Sequence, residues 1–455
     1  MDIVIVGCGK IGTTLIKSLL KEHHNIIAID CSESAISSVI NSYDVIGICG
    51  NGTSQETLTQ ANVQKCDLFI AMTGSDEFNM LSSFMAKKLG AKHTVARISD
   101  LKYTTPDFDF IRKHLGISMT VNPELMTAKF IYNVLKLPSA ISVETFSSGG
   151  FEIIELNIKK EQGLIGEPLF EIRKKCPFNF LICAVKRNDE LFIPNGFFTL
   201  QEGDKIGMIA SSYDAPKLLR HFGFEKMHVK NAMIVGASKI ASYLSKMLVN
   251  SNNSVTVIDK DKARCESLLE ELNGAITVVC GDGMSKDLLL EGGLSNTDAF
   301  IALTGNDEQN ILMSLSAIEN ECPKVITKIN RADLNAMSNK MGIECIISPK
   351  DVVADSLIRY ARALQTTDAS QIETLYSIIG GSAEAVEFMV LPDFKYTNIP
   401  LKDLSLNKNT LIAGIIRNGK NIIPGGDDLI LPNDKVIVIT PNMNVTDLSE
   451  IIRKK

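Results

Sequence analysis

Long apolar runs are missing from this 455-residue sequence. None approaches the roughly 18 to 20 residues that a membrane-spanning helix needs, so no segment is expected to cross a bilayer by itself. A secretory leader is missing too: residues 2 to 7, Asp-Ile-Val-Ile-Val-Gly, read as a strand where a basic segment and an apolar core would stand, and a cytosolic protein is expected. Basic patches are scarce. The longest run is Arg453-Lys454-Lys455, read as a solvated end, and a net charge of −6 with an isoelectric point near 5.7 argues against a nucleic-acid partner. The ten cysteines form no C-x-x-C pair and no metal-ligand spacing, so no metal site is expected; most of them, such as Cys183 in "FLICAV", fit apolar strand patterns and read as reduced packing residues.

What is present is a repeat. A chain of this length holds two to four domains at roughly 100 to 200 residues each, and its 45 % hydrophobic and 22 % charged composition is that of ordinary globular protein. The opening "MDIVIVGCGKIGTTLIKSLLKEHHNIIAID" is answered by "NAMIVGASKIASYLSKMLVNSNNSVTVID", with Gly7 matching Gly236 and Asp30 matching Asp259. The 34 residues from Gly50 align without a gap to those from Gly281, with 15 identities. Further on, "FIPNGFFTLQEGDKIGMIA" answers "IIPGGDDLILPNDKVIVIT", pairing Asp204 with Asp434. The whole chain is one duplicated unit.

Within each unit the hydrophobic period changes partway. Up to about residue 135, short apolar runs ("IVIVG", "NIIAID", "DVIGI", "DLFIAM", "HTVARI") alternate with helical patterns, the mark of βαβ units and a parallel sheet covered on both faces. From about 140 to 225 the chain reads as short strands joined by Asn-Asp and Asn-Gly turns, a small β-rich domain. Between the two, "NPELMTAKFIYNVLKLPSA" reads as a helix stopped by Pro138. The fold class is thus α/β: two Rossmann-like parallel-sheet domains, each followed by a small α+β domain, in tandem.

Gly7-Cys8-Gly9-Lys10-Ile11-Gly12 is a G-x-G-x-x-G that follows a strand and opens a helix, with Asp30 ending the next strand. The first glycine makes the turn, the second lets main chain approach a pyrophosphate, the third lets helix pack on strand, and the helix N-terminus faces the phosphates. Asp30 should accept from ribose hydroxyls and repel a 2′-phosphate, so NAD or an adenine nucleotide is expected in preference to NADP. Other candidates gather at the carboxyl ends of the strands: Asn51 and Gly52 after the third, Thr73 and Gly74 after the fourth, and Arg97 at the end of the fifth, where a guanidinium can meet phosphate. Thr73-Gly74 reads equally as a helix-capping turn before Asp76 and Glu77. Cys8 sits near a helix N-terminus that would lower its thiol pKa, yet a passive role is expected. The second copy reads Gly236-Ala237-Ser238-Lys239-Ile240-Ala241; it keeps the first glycine and Asp259, loses the other two glycines, and has Lys328 where Arg97 stands. Nucleotide binding there, if any, is expected to be weaker.

Two enzyme classes lack their machinery. Hydride transfer to a carbonyl wants an acid or base facing the nicotinamide, but the six histidines, at 23, 24, 93, 114, 221 and 228, lie in no motif, and His23 and His24 read as a helix C-terminal cap. Nucleotide hydrolysis wants a G-x-x-x-x-G-K-[S/T] loop, and the sequence has none. An NAD-dependent oxidoreductase of duplicated form is the alternative reading.

"IVIVGCGKIG", Asp30, "GNGTSQETL", "DLFIAMTGSDEFNM" and "VARI", followed by a small β-rich domain and the entire arrangement repeated, resemble the tandem RCK (regulator of potassium conductance) family of Trk potassium-uptake regulatory subunits over essentially the full length. The resemblance implies RCK N-terminal domains at 1–122 and 229–348 and RCK C-terminal domains at 138–224 and 366–453. It also implies a peripheral cytosolic subunit with no catalysis, assembled as a homotetrameric ring beneath a TrkH-type membrane potassium-translocating subunit and sensing NAD(H) or ATP/ADP. In that family the glycine loop, the acid matching Asp30, the turns matching Asn51-Gly52 and Thr73-Gly74, and the position of Arg97 line the nucleotide. Ser238 and Ala241 depart from the pattern.

Overall fold

The computed structural model describes residues 1–100, 103, 106–146, 150–224, 228–365, 370–441 and 445–453. Lys454 and Lys455 of the terminal basic run, and residues 366–369 at the expected start of the last domain, lie outside the described residues. The chain forms two compact units, Met1–Ala128 with Ser348–Ala361, and Lys129–Ile347 with Arg362–Lys455.

The first unit is built on six parallel strands, Asp2–Val6, Asn25–Asp30, Ile46–Cys49, Leu68–Ala71, His93–Arg97 and Met119–Val121, in the spatial order third, second, first, fourth, fifth, sixth. The run Ile3-Val4-Ile5-Val6 is buried throughout, as β-branched residues are in a central strand covered on both faces. Ile3 lies opposite Ile26 on one side and Leu68 on the other. The strand order reverses between the first and fourth strands, and the carboxyl ends there are where open α/β sheets form their ligand crevice. The helix Lys10–Lys21 starts there and buries Gly12, Leu15, Ile16 and Leu19, one face at helical spacing. It ends at Glu22; the histidines after it act through main chain, with His23 at φ 60° and the N–H groups of His23 and His24 donating to the carbonyls of Leu20 and Leu19. The helix Pro349–Ala363 joins this unit as far as Ala361, and its Tyr360 hydroxyl hydrogen-bonds Ser118 beside the sixth strand.

The second unit repeats the parallel sheet, with strands Asn231–Val235, Ser254–Asp259, Thr277–Cys280, Ala299–Ala302, Lys324–Lys328 and Cys345–Ile347 in the same order. It also contains two five-stranded antiparallel sheets. The first has Glu190–Phe192, Phe180–Arg187, Lys205–Ser211, Phe151–Asn157 and Ser142–Thr145 as successive neighbours; the second runs Lys420–Ile422, Leu411–Arg417, Lys435–Thr440, Ala383–Val390 and Ser370–Ile378, the same sequence of partners. Their strands alternate. Ile153 and Ile209 of one sheet pack with Ala385, Ile437 and Ile439 of the other in a shared core. The opposite faces are covered differently: Ile154, Leu156 and Met208 by the helices Leu169–Lys175 and Ala215–His221, and Val386, Phe388 and Val438 by the shorter turns Leu401–Asp403 and Leu448–Ile451. The expected Asn188-Asp189 hairpin turn has positive φ at both positions, as does Asn418-Gly419 in the second small sheet. Asn195-Gly196 is not the hairpin its sequence suggests: Asn195 instead accepts the N–H groups of Phe197 and Phe198 in a local turn, and the strands on either side of it, Glu190–Phe192 and Lys205–Ser211, do not pair with each other.

Each small sheet carries the same clasp. Arg187 donates to both carboxylate oxygens of Asp204 at 2.8 and 2.7 Å, and Arg417 does the same to Asp434 at 2.9 and 2.7 Å. Both aspartates are buried and also accept a turn N–H, from Gln201 and Leu431. The packing expected of the cysteines holds for Cys8, Cys66, Cys183, Cys265, Cys322 and Cys345, whereas Cys31, Cys49 and Cys280 are exposed.

Candidate functional site

The three glycines of the first loop do different jobs. Gly7 has φ +100°, a left-handed conformation, and a Cβ there would lie 2.9 Å from the Met72 carbonyl carbon. A Cβ on Gly12 would overlap the Gly7 carbonyl oxygen, so this glycine lets the helix touch the loop. Gly9 is required by neither backbone nor packing: its φ of −71° and ψ of −170° suit any residue, and a Cβ would meet nothing within 4 Å. It is the exposed N-cap of the helix Lys10–Lys21 and makes no side-chain hydrogen bond there. The position therefore keeps main chain bare toward an open space beside helix N–H groups, the geometry that suits a phosphate.

Asp30 holds this loop from the neighbouring strand. One carboxylate oxygen accepts the Cys8 N–H at 2.7 Å and the other accepts the Ser32 N–H at 2.9 Å, leaving the remaining lone pairs for a ligand. Cys8 contributes its N–H, not its thiol, which is buried and lies against the Ile29 carbonyl. The expectation of a lowered thiol pKa is reversed: burial, with the Asp30 charge adding to it, pushes Cys8 up to about 12. Lys10 is exposed and Ile11 half-buried.

The remaining candidates lie at or just after the carboxyl ends of the third, fourth and fifth strands. The Asn51 side chain accepts from the N–H and hydroxyl of Thr53 at 2.9 and 2.8 Å, and the Ser82 hydroxyl ties the turn down by donating to the Gly52 carbonyl at 2.6 Å. The cap of the following helix is Ser75, which accepts from Phe78 N–H, so Thr73 is not the cap residue. Thr73 is held instead by Asn79, a fully buried side chain absent from the sequence-based candidates. Its Oδ1 accepts the Thr73 N–H and hydroxyl at 2.9 and 2.7 Å, and its Nδ2 donates to the carbonyls of Thr73 and Arg97. One amide thus ties the ends of the fourth and fifth strands together. Gly74 faces open space. The Arg97 guanidinium is already engaged, donating to Glu124 at 2.8 Å and Ser99 at 3.2 Å. A half-buried carboxylate at the helix start, Asp76, accepts the N–H groups of Ser99 and Asp100. The signal for these residues is in the repeat: Thr-Gly-x-Asp-Glu-x-Asn is identical in the two copies.

The second copy rebuilds the same scaffold. Asn310 makes the four bonds of Asn79, to Thr304 and to the Lys328 carbonyl; Asp307 replaces Asp76; and Asp259 accepts the N–H groups of Ala237 and Asp261 at 2.7 and 2.8 Å. Here Gly236, Ser238, Asp259 and Lys328 are brought together around a cavity of about 370 Å³ with Asp282, Thr304 and Gly305, within the size range of small-ligand sites. Ala237, Lys239 and Ile240 do not line it; Lys239 is exposed and Ile240 buried. Ser238 caps the helix by accepting the Ala241 N–H at 3.4 Å, and its own N–H donates to the Gly236 carbonyl at 2.9 Å.

Among the described residues no helix is long and apolar enough to cross a membrane. Residues 3–123 and 232–349 match the TrkA-N domain family, and residues 153–223 and 385–453 match the TrkA-C domain family. A Trk system potassium uptake protein TrkA homolog of Archaeoglobus fulgidus is 32 % identical over 454 residues, 100 % of both chains, and the TrkA protein of Azorhizobium caulinodans is 25 % identical over 100 % of this chain and 99 % of its own. The fold is that of the GsuK RCK domain (TM-score 0.64, 16 % identity, 97 % of this chain and 93 % of that one) and of the GsuK channel solved bound to NAD (TM-score 0.63, 16 % identity, 97 % and 77 %). The tandem order of both domain types along the full length places the chain in the TrkA family of Trk-system potassium uptake proteins.

Proposed function

We propose that this chain is a non-enzymatic, nucleotide-sensing regulatory subunit of a Trk-type potassium uptake system. It binds NAD(H), ATP or ADP in the first crevice and more weakly in the second, and bound nucleotide sets potassium flux through a TrkH-type membrane subunit. The chain works as a homotetrameric ring on the cytoplasmic face of that subunit, through domains at 1–122, 138–224, 229–348 and 366–453. The observation that carries the nucleotide reading is Gly9, a glycine that nothing in the protein requires and that leaves bare main chain at a helix N-terminus. GsuK channel structures bound to NAD and to ADP, which share this fold, support the choice of ligand.

In this reading phosphates lie over Gly7 to Gly12, ribose hydroxyls donate to Asp30, and the turns at Asn51-Gly52 and Thr73-Gly74 enclose the ligand. Arg97 acts as a charge neutralised by Glu124 until an anionic ligand competes for it. A nucleotide shifts the ring only by binding its states unequally, and moving a two-state equilibrium from 1:99 to 99:1 takes about 5.5 kcal/mol in total, which several sites in a ring share. The test is potassium flux through the reconstituted complex while nucleotides are exchanged. Flux should follow nucleotide identity in the natural chain and lose that dependence in Gly9→Asp; flux indifferent to both changes refutes the proposal.

A further inference from the structure

The two crevices share a scaffold but not a rim. After the acid that ends the second strand, the first copy continues Cys31-Ser32-Glu33-Ser34-Ala35, with one acid and no base; the second continues Lys260-Asp261-Lys262-Ala263-Arg264, with three bases and one acid. Lys260 and Arg264 line the second cavity beside Asp259. The ion pair of Arg264 with Asp261, at 3.4 Å and with both side chains substantially exposed, is of the kind that stabilises little, so its guanidinium is free to turn to an incoming anion.

Donors have been withdrawn from the opposite end of the same cavity. The Ser238 N–H is spent on the Gly236 carbonyl and the Ala241 N–H on the Ser238 hydroxyl, whereas Gly9 has no side chain with which to occupy its helix terminus. The attraction for phosphate has moved from the helix end to the strand end, where the acid of this fold marks the ribose. Asp259 itself does not close that end to anions. It is held by two main-chain N–H groups just as Asp30 is, so the difference between the copies lies in Lys260 and Arg264, whose two positive charges on the same cavity exceed the single charge of Asp259.

We propose that the second cavity selects a nucleotide with a phosphate on the ribose 2′ side, held by Lys260 and Arg264, while the first crevice takes nucleotides whose phosphates lie on the 5′ side. The inference rests on the reading of both crevices as nucleotide sites. A cavity of about 370 Å³ holds a mononucleotide, and one guanidinium and one ammonium supply the charge-assisted donors a phosphate needs.

The experiment uses the full chain carrying Gly9→Asp, which removes the first site from the measurement, with adenosine 2′-monophosphate and adenosine 5′-monophosphate as isomeric probes. Titration calorimetry and thermal shift should show the 2′ isomer binding about tenfold or more tighter. Lys260→Ala with Arg264→Ala should erase the preference without changing the ligand-free melting temperature, because both side chains are exposed. Equal or reversed preference, or a preference that survives the double substitution, overturns the inference. Failure of both isomers to bind overturns it as well, and the first-site reading then stands if the natural chain still responds to ADP; a natural chain that responds to no nucleotide removes both.

Discussion

Gly9 and Gly12 belong to one motif, yet substituting them should damage different properties. Alanine at Gly12 would overlap the Gly7 carbonyl oxygen, and the only relief is to move the helix Lys10–Lys21 off a loop that is itself pinned by Asp30. Overpacking of that kind costs about 1–3 kcal/mol. Alanine at Gly9 meets nothing and adopts the native φ and ψ without strain; the smaller freedom of the unfolded chain is offset by alanine's poorer fit at a helix N-cap, so stability should stay within about 0.5 kcal/mol of the natural chain. Ligand response should invert that order. At a nucleotide concentration of about 100 times Kd the natural chain gains about 2.7 kcal/mol. Gly9→Asp should abolish the gain contributed by the first site, since two unit charges at about 4 Å repel by about 4 kcal/mol at an effective dielectric of 20. Thermal melts of the natural chain, Gly9→Ala, Gly9→Asp and Gly12→Ala, each with and without NAD and ADP, read both quantities. The reasoning is refuted if Gly9→Ala is as destabilising without ligand as Gly12→Ala, or if Gly9→Asp keeps the full ligand-induced rise.

Three further outcomes follow from the same geometry. Asn79→Ala should cost about 2 kcal/mol in urea unfolding, because it removes the fully buried amide that ties together the half-buried turns at Thr73 and Arg97; it should also weaken NAD binding, and Asn310→Ala should match it in stability. Arg187→Ala leaves the buried Asp204 carboxylate without its cation and should destabilise by about 3 kcal/mol, while Arg187→Ala with Asp204→Asn recovers part of the loss; Arg417 and Asp434 should behave alike. In the folded chain at pH 8, alkylation followed by mass spectrometry should label Cys31, Cys49 and Cys280 and spare Cys8, whose pKa near 12 leaves about one thiolate in ten thousand. Because the folded thiol holds its proton above the ordinary value near 8.5, its contribution to stability is complete below that pH and is lost as pH rises toward about 12.

The parallel-sheet strands were legible because each buried run is apolar and bounded by turn residues: "IVIVG" becomes Asp2–Val6 and "DLFIAM" contains Leu68–Ala71. The sixth strand, Met119–Val121, was not. Three residues give no period to read, and its place is fixed by pairing with Val95, Ala96 and Arg97. The role of the helix Pro349–Ala363 in the first unit was illegible for another reason: the residues it joins lie more than two hundred positions earlier, and amphipathicity states that a face is buried without naming what covers it. The candidate site residues divide the same way. Asp30 and the glycines answer to local main-chain geometry and so announce themselves. Arg97 was placed correctly at a strand end, but its engagement by Glu124, 27 residues on, depends on tertiary contact. Cys8 was misread in pKa because the helix dipole is a sequence-visible effect and burial is not.

The second copy shows why its two lost glycines went together. With the first copy's loop, Ala241 could not stand where Gly12 does, since its Cβ would strike the first glycine's carbonyl; yet Ala241 is fully buried and tolerated. What differs is the loop. The Gly236 carbonyl there receives the Ser238 N–H, a bond with no counterpart in the first loop among the described residues. The serine at 238 also secures the helix start by taking the Ala241 N–H. Each change stabilises the loop by spending a donor that a phosphate would use. Gly236, at φ +109° with the Leu303 main chain 2.9 Å from a Cβ, has no such route and is retained. The bare glycines and the self-capped helix are alternatives at one loop, and the scaffold held by Asn310, Asp307 and Asp259 is the same in both copies.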